Sequence, residues 1–285
     1  MTRNSARPTV ALIPPSCCGA GYFRRVRRLL GGRIDVLPVE LPGHGRRYRE
    51  ERLTDAALAV PDVVAQLRGP VDVLYGESLG AYIGLLAVAA LAPARQPLLI
   101  AASNSPPSTH PDITVEDVSS LESAAAALTA AGGEIPEEIL TEPALARSAY
   151  PLIRDDLCLS QSFIEATRTT TVATDIVVLG GTDDASLVRL DAWAAHTTGS
   201  CEVVQLPGRH LLSAENPAGV AAAILRSLAR KCTPEGTCDG VGHGTSAGDR
   251  QSPDVDLPAA GRRPTGDRGG TGEGGGTVPS APRGR

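Results

Sequence analysis

The sequence of 285 residues has a single lysine, Lys231, and only eight aromatic side chains. None of the eight lies in residues 233–285, which hold 14 of the 31 glycines. So few apolar groups cannot bury enough surface to offset the entropy of ordering the backbone. Residues 233–285 therefore read as a disordered Gly/Pro-rich tail, and the fold is expected within residues 1–232. Long hydrophobic runs are also missing. The longest, Leu79–Ala92, is 14 residues, short of the ~20 a membrane-spanning helix needs. The start, MTRNSARPTV, has no apolar core of a secretory signal. The six cysteines show no paired C-x-x-C spacing, which argues against a zinc site, and adjacent Cys17 and Cys18 cannot easily bridge without strain. A reduced, cytoplasmic protein without metal or cofactor is the expectation. A basic surplus is absent too: residues 1–232 carry 21 basic and 25 acidic side chains, the tail 6 and 7. Nucleic acid is therefore not an expected partner. The clusters Arg24-Arg25, Arg27-Arg28 and Arg46-Arg47 read as a solvated helix face and a loop, or as a site for an acidic carrier domain or a phosphate.

What is present is a rhythm of short apolar runs. Thr9–Pro14, Arg33–Leu41, Val71–Tyr75, Pro97–Ala102, Asp175–Leu179 and Glu202–Leu206 have strand character. Helical spacing separates them: Phe23–Leu30, Asp55–Leu67 with an interruption at Pro61, Leu79–Ala92 buried on nearly all sides, and a last helix opening at Ser213 and running to about Lys231. Strands alternating with helices imply a mostly parallel sheet covered on both faces. About 70 residues between the strands near 100 and 176 lack a good strand. They contain helical stretches at Val118–Ala131, Pro136–Leu140 and Ala144–Ser162. An interval this long reads as a helical insertion. It leaves the carboxyl end of a strand, where open α/β sheets bind ligands. A lid over roughly residues 104–165 is expected.

The sharpest local signal is VDVLYGESLGAYIGLLAV at residues 71–88. A strand runs into Gly76-x-Ser78-x-Gly80 and then into a helix. That context is the nucleophile elbow, whose turn is too tight for side chains at the glycine positions. The turn lifts Ser78 above the sheet at a helix N-terminus, where free N–H groups favour negative charge. A serine needs a base. Of the five histidines, His243 lies in the tail, His110 in a loop entering the insertion and His196 on a helix surface. His44, in PGHGRR, is read as structural or exposed. His210 follows a strand in the loop PGRH and is the expected base. The strand before it ends in GGTDDAS, which brings Asp183 and Asp184 to the same sheet edge. Asp184 is favoured to orient the imidazole, with Asp183 as a turn residue. The chain order Ser, Asp, His is that of α/β-hydrolases. The amides of Leu79 and of Ser16, in the loop PPSCCGAG, are the candidate oxyanion donors. Cys17 or Cys18 is a rival nucleophile without an assigned base.

Taken together these residues resemble the type II thioesterases, the stand-alone α/β-hydrolases that accompany nonribosomal peptide and polyketide synthetases. The resemblance covers about residues 9–228. It rests on LIPPSCCGAGYFRRV, VELPGHGRR, the elbow, AYPLIRDDLCLSQSF, VVLGGTDD and LPGRHLL. It implies an α/β-hydrolase fold with a helical lid. It also implies hydrolysis of acyl or aminoacyl thioesters held on phosphopantetheine arms of acyl- or peptidyl-carrier proteins. The family's acid lands on Asp184. Three departures stand out. The first loop reads Pro15-Ser16-Cys17-Cys18 instead of His-Ala-Gly-Gly. Ala185 follows the aspartate where the family often has proline. The nucleophile is flanked by Glu77 and Leu79 instead of His and Met. Glu77 is expected to set a carboxylate beside the site, hydrogen-bonding within the elbow or acting on substrate choice. A small-molecule esterase or acyltransferase, a macrocycle-forming release enzyme and a non-catalytic synthetase partner are the alternatives.

Overall fold

Six short runs rich in Val, Ile, Leu and Ala form one parallel sheet in the computed structural model, which describes residues 7–232. The chain divides into Met1–Gly236 and Thr237–Arg285. All described residues belong to the first unit, and the expected tail lies outside them. In chain order the elements are β1 (Thr9–Ile13), α1 (Arg24–Leu30), β2 (Asp35–Pro38), α2 (Ala56–Gln66), β3 (Val73–Glu77), α3 (Leu79–Ala89) and β4 (Leu98–Ala102). The helical insertion follows as α4 (Leu121–Ala130), α5 (Glu137–Thr141) and α6 (Pro143–Thr167). Then come β5 (Ile176–Gly181), β6 (Cys201–Leu206), α7 (Leu212–Glu215) and α8 (Pro217–Cys232).

The sheet order is β2-β1-β3-β4-β5-β6, with every pairing parallel. Period-two alternation divides each strand between two cores. Ala11, Ile13, Leu74, Leu99 and Val178 pack with α2, α3 and the second half of α6. Val10, Leu12, Tyr75, Ile100 and Leu179 pack with α1 and α8. Both faces are covered, so strands β3, β4 and β5 are buried throughout and, Tyr75 and Glu77 apart, built of apolar residues, as expected of parallel strands. Each fully buried Leu, Ile or Val there contributes roughly 1.5–3 kcal/mol. Chain order reverses between β1 and β3, and the crevice outside that reversal is where such sheets hold ligands. Among the described residues no helix is long and apolar enough to cross a membrane.

Two local expectations are corrected, and one loop is more ordered than its sequence suggests. α2 runs through Pro61 without a break. The proline takes an N–H from the carbonyl of Ala57, but both residues are exposed, so water can satisfy that carbonyl. The last helix is two helices. Asn216 precedes Pro217, which disfavours helical backbone at Asn216, and its Oδ1 accepts from the Gly219 amide at 2.9 Å, capping α8. Of the Arg46-Arg47 pair, Arg46 is exposed in the loop as read, and Arg47 is tied down by carboxylates. Arg47 grips Asp62 with both terminal nitrogens, at 2.7 and 2.8 Å, and also binds Glu50.

Candidate active site

Ser78 follows β3 and caps α3 with φ 56° and ψ −123°. An L residue holds such a conformation only where the surroundings over-determine it. They do so here. The Ser78 amide donates to the Ala102 carbonyl at 2.9 Å, and Asn104 Nδ2 donates to the Ser78 carbonyl at 2.9 Å. A Cβ on Gly76 would lie 2.0 Å from the Gly80 carbonyl oxygen. A Cβ on Gly80 would lie 2.4 Å from the Ile13 carbonyl oxygen. The two glycines expected from the sequence are thus sites of backbone-on-backbone contact.

The loop after β6 returns across the sheet edge to the serine. His210 Nε2 lies 2.9 Å from Ser78 Oγ, and its Nδ1 lies 2.9 Å from Asp184 Oδ2. The histidine is buried. The other Asp184 oxygen accepts from Ser186, from Oγ at 2.6 Å and from the amide at 3.0 Å. Burial works against the Asp184 charge, but hydrogen bonds from His210 and Ser186 outweigh it and hold the carboxyl below the usual range. Asp183 is exposed, and its amide donates to the Gly208 carbonyl, so the turn role fits it. The sequence reading missed Ser186. Its signal is Asp-x-Ser, the spacing of an Asx turn.

The first loop stands beside the serine. Ser16, Ser78, Leu79 and His210 all line one cavity of ≈ 310 Å³. Leu79 is the first residue of α3, so its amide has no acceptor within the helix. Cys17 and Cys18 line the same cavity as thiols. Burial pushes the Cys17 thiol far up, and burial with the Glu77 charge pushes Cys18 up to about 11. Both shifts disfavour the thiolate, the reactive form, and so argue against the rival nucleophiles. The rest of the wall is mostly apolar, with Tyr82, Leu128, Ile135, Ile139, Leu152 and Ile153 prominent. It comes largely from the insertion, so the expected lid roofs the cavity. The lid also reaches His210: a Cβ on Gly132 would lie 2.3 Å from its Nδ1. Arg209 and Glu134 form an ion pair between the His210 loop and the lid.

Glu77 does not line the cavity and serves as a hydrogen-bonding residue. It shares a strand face with Tyr75, the face opposite α3. Its Oε1 accepts from Tyr22 OH at 2.7 Å and from the Ser213 amide at 3.2 Å, and its Oε2 accepts from Tyr75 OH at 2.8 Å. Full burial raises this carboxyl above the usual range, with the donors pulling it back. It braces the start of α7 from beneath the site. His196 is corrected. It is 1 % exposed, held between the Thr170 carbonyl and Ser108 Oγ and stacked edge-on to Trp193. His110 lines the cavity edge-on to Tyr82. His44 is buried. Its Nδ1 bonds the Pro42 carbonyl at 2.9 Å and its Nε2 bonds Asp156 Oδ2 at 3.0 Å. Burial lowers its affinity for a proton, but the Asp156 carboxylate more than offsets this and the net shift is upward.

A sequence model of the alpha/beta hydrolase family matches residues 10–223. Among curated proteins, the chain is 27% identical over 237 residues to the AMB antimetabolite synthetase AmbE of Pseudomonas aeruginosa. That match covers 79% of this chain but 11% of the synthetase, so the chain spans about a tenth of that relative's length. It is 26% identical over 223 residues to the medium-chain S-acyl fatty acid synthase thioesterase of Homo sapiens, covering 74% of this chain and 83% of that one. Among solved structures it superposes on the type II thioesterase BorB from the borrelidin biosynthetic cluster with a TM-score of 0.64. Identity there is 24%, with 80% of this chain and 95% of that one covered. At that identity the likeness is one of fold.

Proposed function

This chain belongs to the alpha/beta hydrolase family, and from that premise we propose that it is a serine thioesterase. Its substrates are acyl or aminoacyl groups held as thioesters on the phosphopantetheine arms of carrier proteins in nonribosomal peptide or polyketide biosynthesis. The observation that carries this reading is the continuous chain Asp184–His210–Ser78 at the mouth of an apolar, lidded cavity. The thioesterase activity named for the human relative and for BorB supports the thioester, and the resemblance to type II thioesterases supports the carrier. With the four cysteines in the described residues as free thiols, the reading is of a cytoplasmic enzyme.

The chemistry follows from the geometry. As Ser78 Oγ attacks the thioester carbonyl, its proton passes to His210 Nε2. Asp184 holds the Nδ1–H tautomer and stabilises the imidazolium that forms. The amides of Leu79 and Ser16 receive the oxyanion. The C–S bond breaks, and the leaving sulfur takes the proton from His210. An acyl-Ser78 ester remains. Water gives a proton to His210, attacks the ester and releases a carboxylic acid, and the proton returns to Ser78. The acyl chain occupies the apolar cavity, which offers it burial.

If the carrier is the true partner, its remote contacts lower the barrier, because binding energy away from the reacting carbonyl can be used in the transition state. We expect kcat/KM for a hexanoyl-loaded carrier protein to exceed that for p-nitrophenyl hexanoate by on the order of 10². Intact-mass monitoring of the carrier beside a colorimetric ester assay gives both values. A preference for the free ester would make the chain a small-molecule esterase.

A further inference from the structure

The arginines of α1 have no acidic counterpart in the protein itself. The helix reads RRVRRLL, four arginines and no acid, in a chain whose net charge is −5. Val26 and Leu30 pack into the core, and Arg24, Arg25, Arg27 and Arg28 are exposed. Elsewhere arginines are matched: Arg47, Arg52, Arg154, Arg168 and Arg209 each pair with a carboxylate. Among the described residues no carboxylate pairs with the four on α1. Arg25 alone makes a hydrogen bond, from Nη1 to the Ala214 carbonyl at 3.3 Å.

The spacing of these cations adds repulsion. Arg24 is followed by Arg27 and Arg28 at i+3 and i+4, and Arg25 by Arg28 at i+3, so like charges are neighbours on the helix surface. Arg24 and Arg25 also stand in the first turn, where the helix dipole disfavours cations. Solvent and salt keep that cost small in the free protein. An anionic surface settling over the helix would relieve every one of these repulsions.

The patch stands at the active-site edge of the sheet. Cys18, at the end of the first loop, lines the cavity. Tyr22, two residues before Arg24, donates to Glu77, the neighbour of Ser78. Arg25 bonds the carbonyl of Ala214, in the short helix that follows His210. The first turn of α1 is thus placed beside both the first loop and the base loop. Arg28 lies about one turn further, roughly 6 Å along the axis.

A thioester on a phosphopantetheine arm arrives with negative charge, because a phosphodiester joins the arm to its carrier. Four guanidinium groups along a helix roughly 10 Å long span more than one phosphate and suit an extended acidic face. We propose that α1 is the docking surface for the carrier protein, whose acidic face lies over Arg24, Arg27 and Arg28. The proposal rests on the thioesterase reading above and adds to it the surface that receives the carrier.

The test reverses charge with the pair Arg24→Glu and Arg28→Glu, which leaves Arg25 and its bond to Ala214 in place. The control pair, Arg68→Glu and Arg95→Glu, changes the net charge equally at exposed sites before β3 and β4, on the opposite edge of the sheet. The substrate is a hexanoyl-loaded acyl-carrier protein of net negative charge, at low salt. The α1 pair should raise KM by about tenfold with kcat within about twofold, and the control should leave both within about twofold. Added salt should raise the KM of the wild type and not that of the α1 pair. Hexanoyl-N-acetylcysteamine, which has neither carrier nor phosphate, should be turned over equally by all, which also reports that the variants fold.

A KM for the carrier that the α1 pair leaves within about twofold overturns the proposal. So does an equal rise in the control, which would make the effect one of net charge. Hexanoyl-phosphopantetheine separates carrier from phosphate: a KM for it that rises as far as the carrier's overturns the proposal, because the patch would then read the phosphate alone. Should the glutamate pair lose N-acetylcysteamine turnover, the pair Arg24→Gln and Arg28→Gln serves. A rise in the carrier KM of about threefold is then expected, and none overturns the proposal. A wild type that hydrolyses the N-acetylcysteamine thioester but unloads no carrier sinks the carrier reading and this inference with it. A wild type that unloads the carrier beside an unaffected α1 pair sinks this inference alone.

Discussion

Ser78→Ala will fold as the wild type does and lose thioester turnover by on the order of 10⁶ in kcat. The fold survives because what holds residue 78 in its unusual conformation is backbone. Its amide bonds the Ala102 carbonyl, and its carbonyl receives Asn104 Nδ2. Neither contact involves the hydroxyl. What disappears is the hydroxyl that lies 2.9 Å from His210 Nε2, the atom that attacks in the proposed mechanism. The remaining oxyanion donors and the apolar cavity can still bind a thioester, so substrate affinity should change little. Thermal melts and carrier unloading, measured on the same preparation, check both halves. His210→Ala should resemble it closely, because residues that act as one unit do not contribute additively.

Gly76→Ala will cost a large part of the protein's stability before any question of activity arises. The added methyl would meet the Gly80 carbonyl oxygen at 2.0 Å, the Gly80 carbonyl carbon at 2.4 Å and the Ala81 amide nitrogen at 2.8 Å. All three are backbone atoms at the start of a helix buried on nearly every side. None can move without shifting α3 against the sheet. Overpacking of this kind costs about 3 kcal/mol or more, set against a total stability of roughly 5–15 kcal/mol. For a domain of this size that is a fall in Tm of roughly 6–12 °C. Gly21→Ala is the control, since nothing lies within 4 Å of its added methyl. Calorimetry of the two variants should show a large drop for the first and a change within about 1–2 °C for the second. Equal melts would mean the elbow is looser than described.

Much of this site was legible in the sequence because its members carry local context. Ser78 sits between two glycines, a strand and a helix. His210 and Asp184 each follow an apolar strand at a sheet edge. Such signals are short-range, and the parallel topology then brings their ends together. The Asn216-Pro217 pair carries the signal of the break between α7 and α8, but the apolar spacing runs on across it. Other features depend on partners distant in sequence. His196 looked like a surface residue in AWAAHTTG, yet it is buried by Trp193, Thr170 and Ser108. Asp156 meets residues 112 and 139 positions away in the chain, and no spacing rule reaches that far. Glu77 could have been placed by period two, since it shares a strand face with Tyr75 and not with the cavity. Its neighbour in sequence, Ser78, drew it toward the chemistry instead.

The account stands most directly on a covalent ester between the acyl group and Ser78. Rapid quench of the enzyme with excess hexanoyl-pantetheine thioester, followed by intact mass and peptide mapping, reads it in one experiment. A hexanoyl increment on the peptide containing Ser78, absent from Ser78→Ala and decaying as free hexanoic acid appears, is the expected result. Hexanoic acid released with no increment on that peptide, or an increment on Cys17 or Cys18 instead, would contradict it.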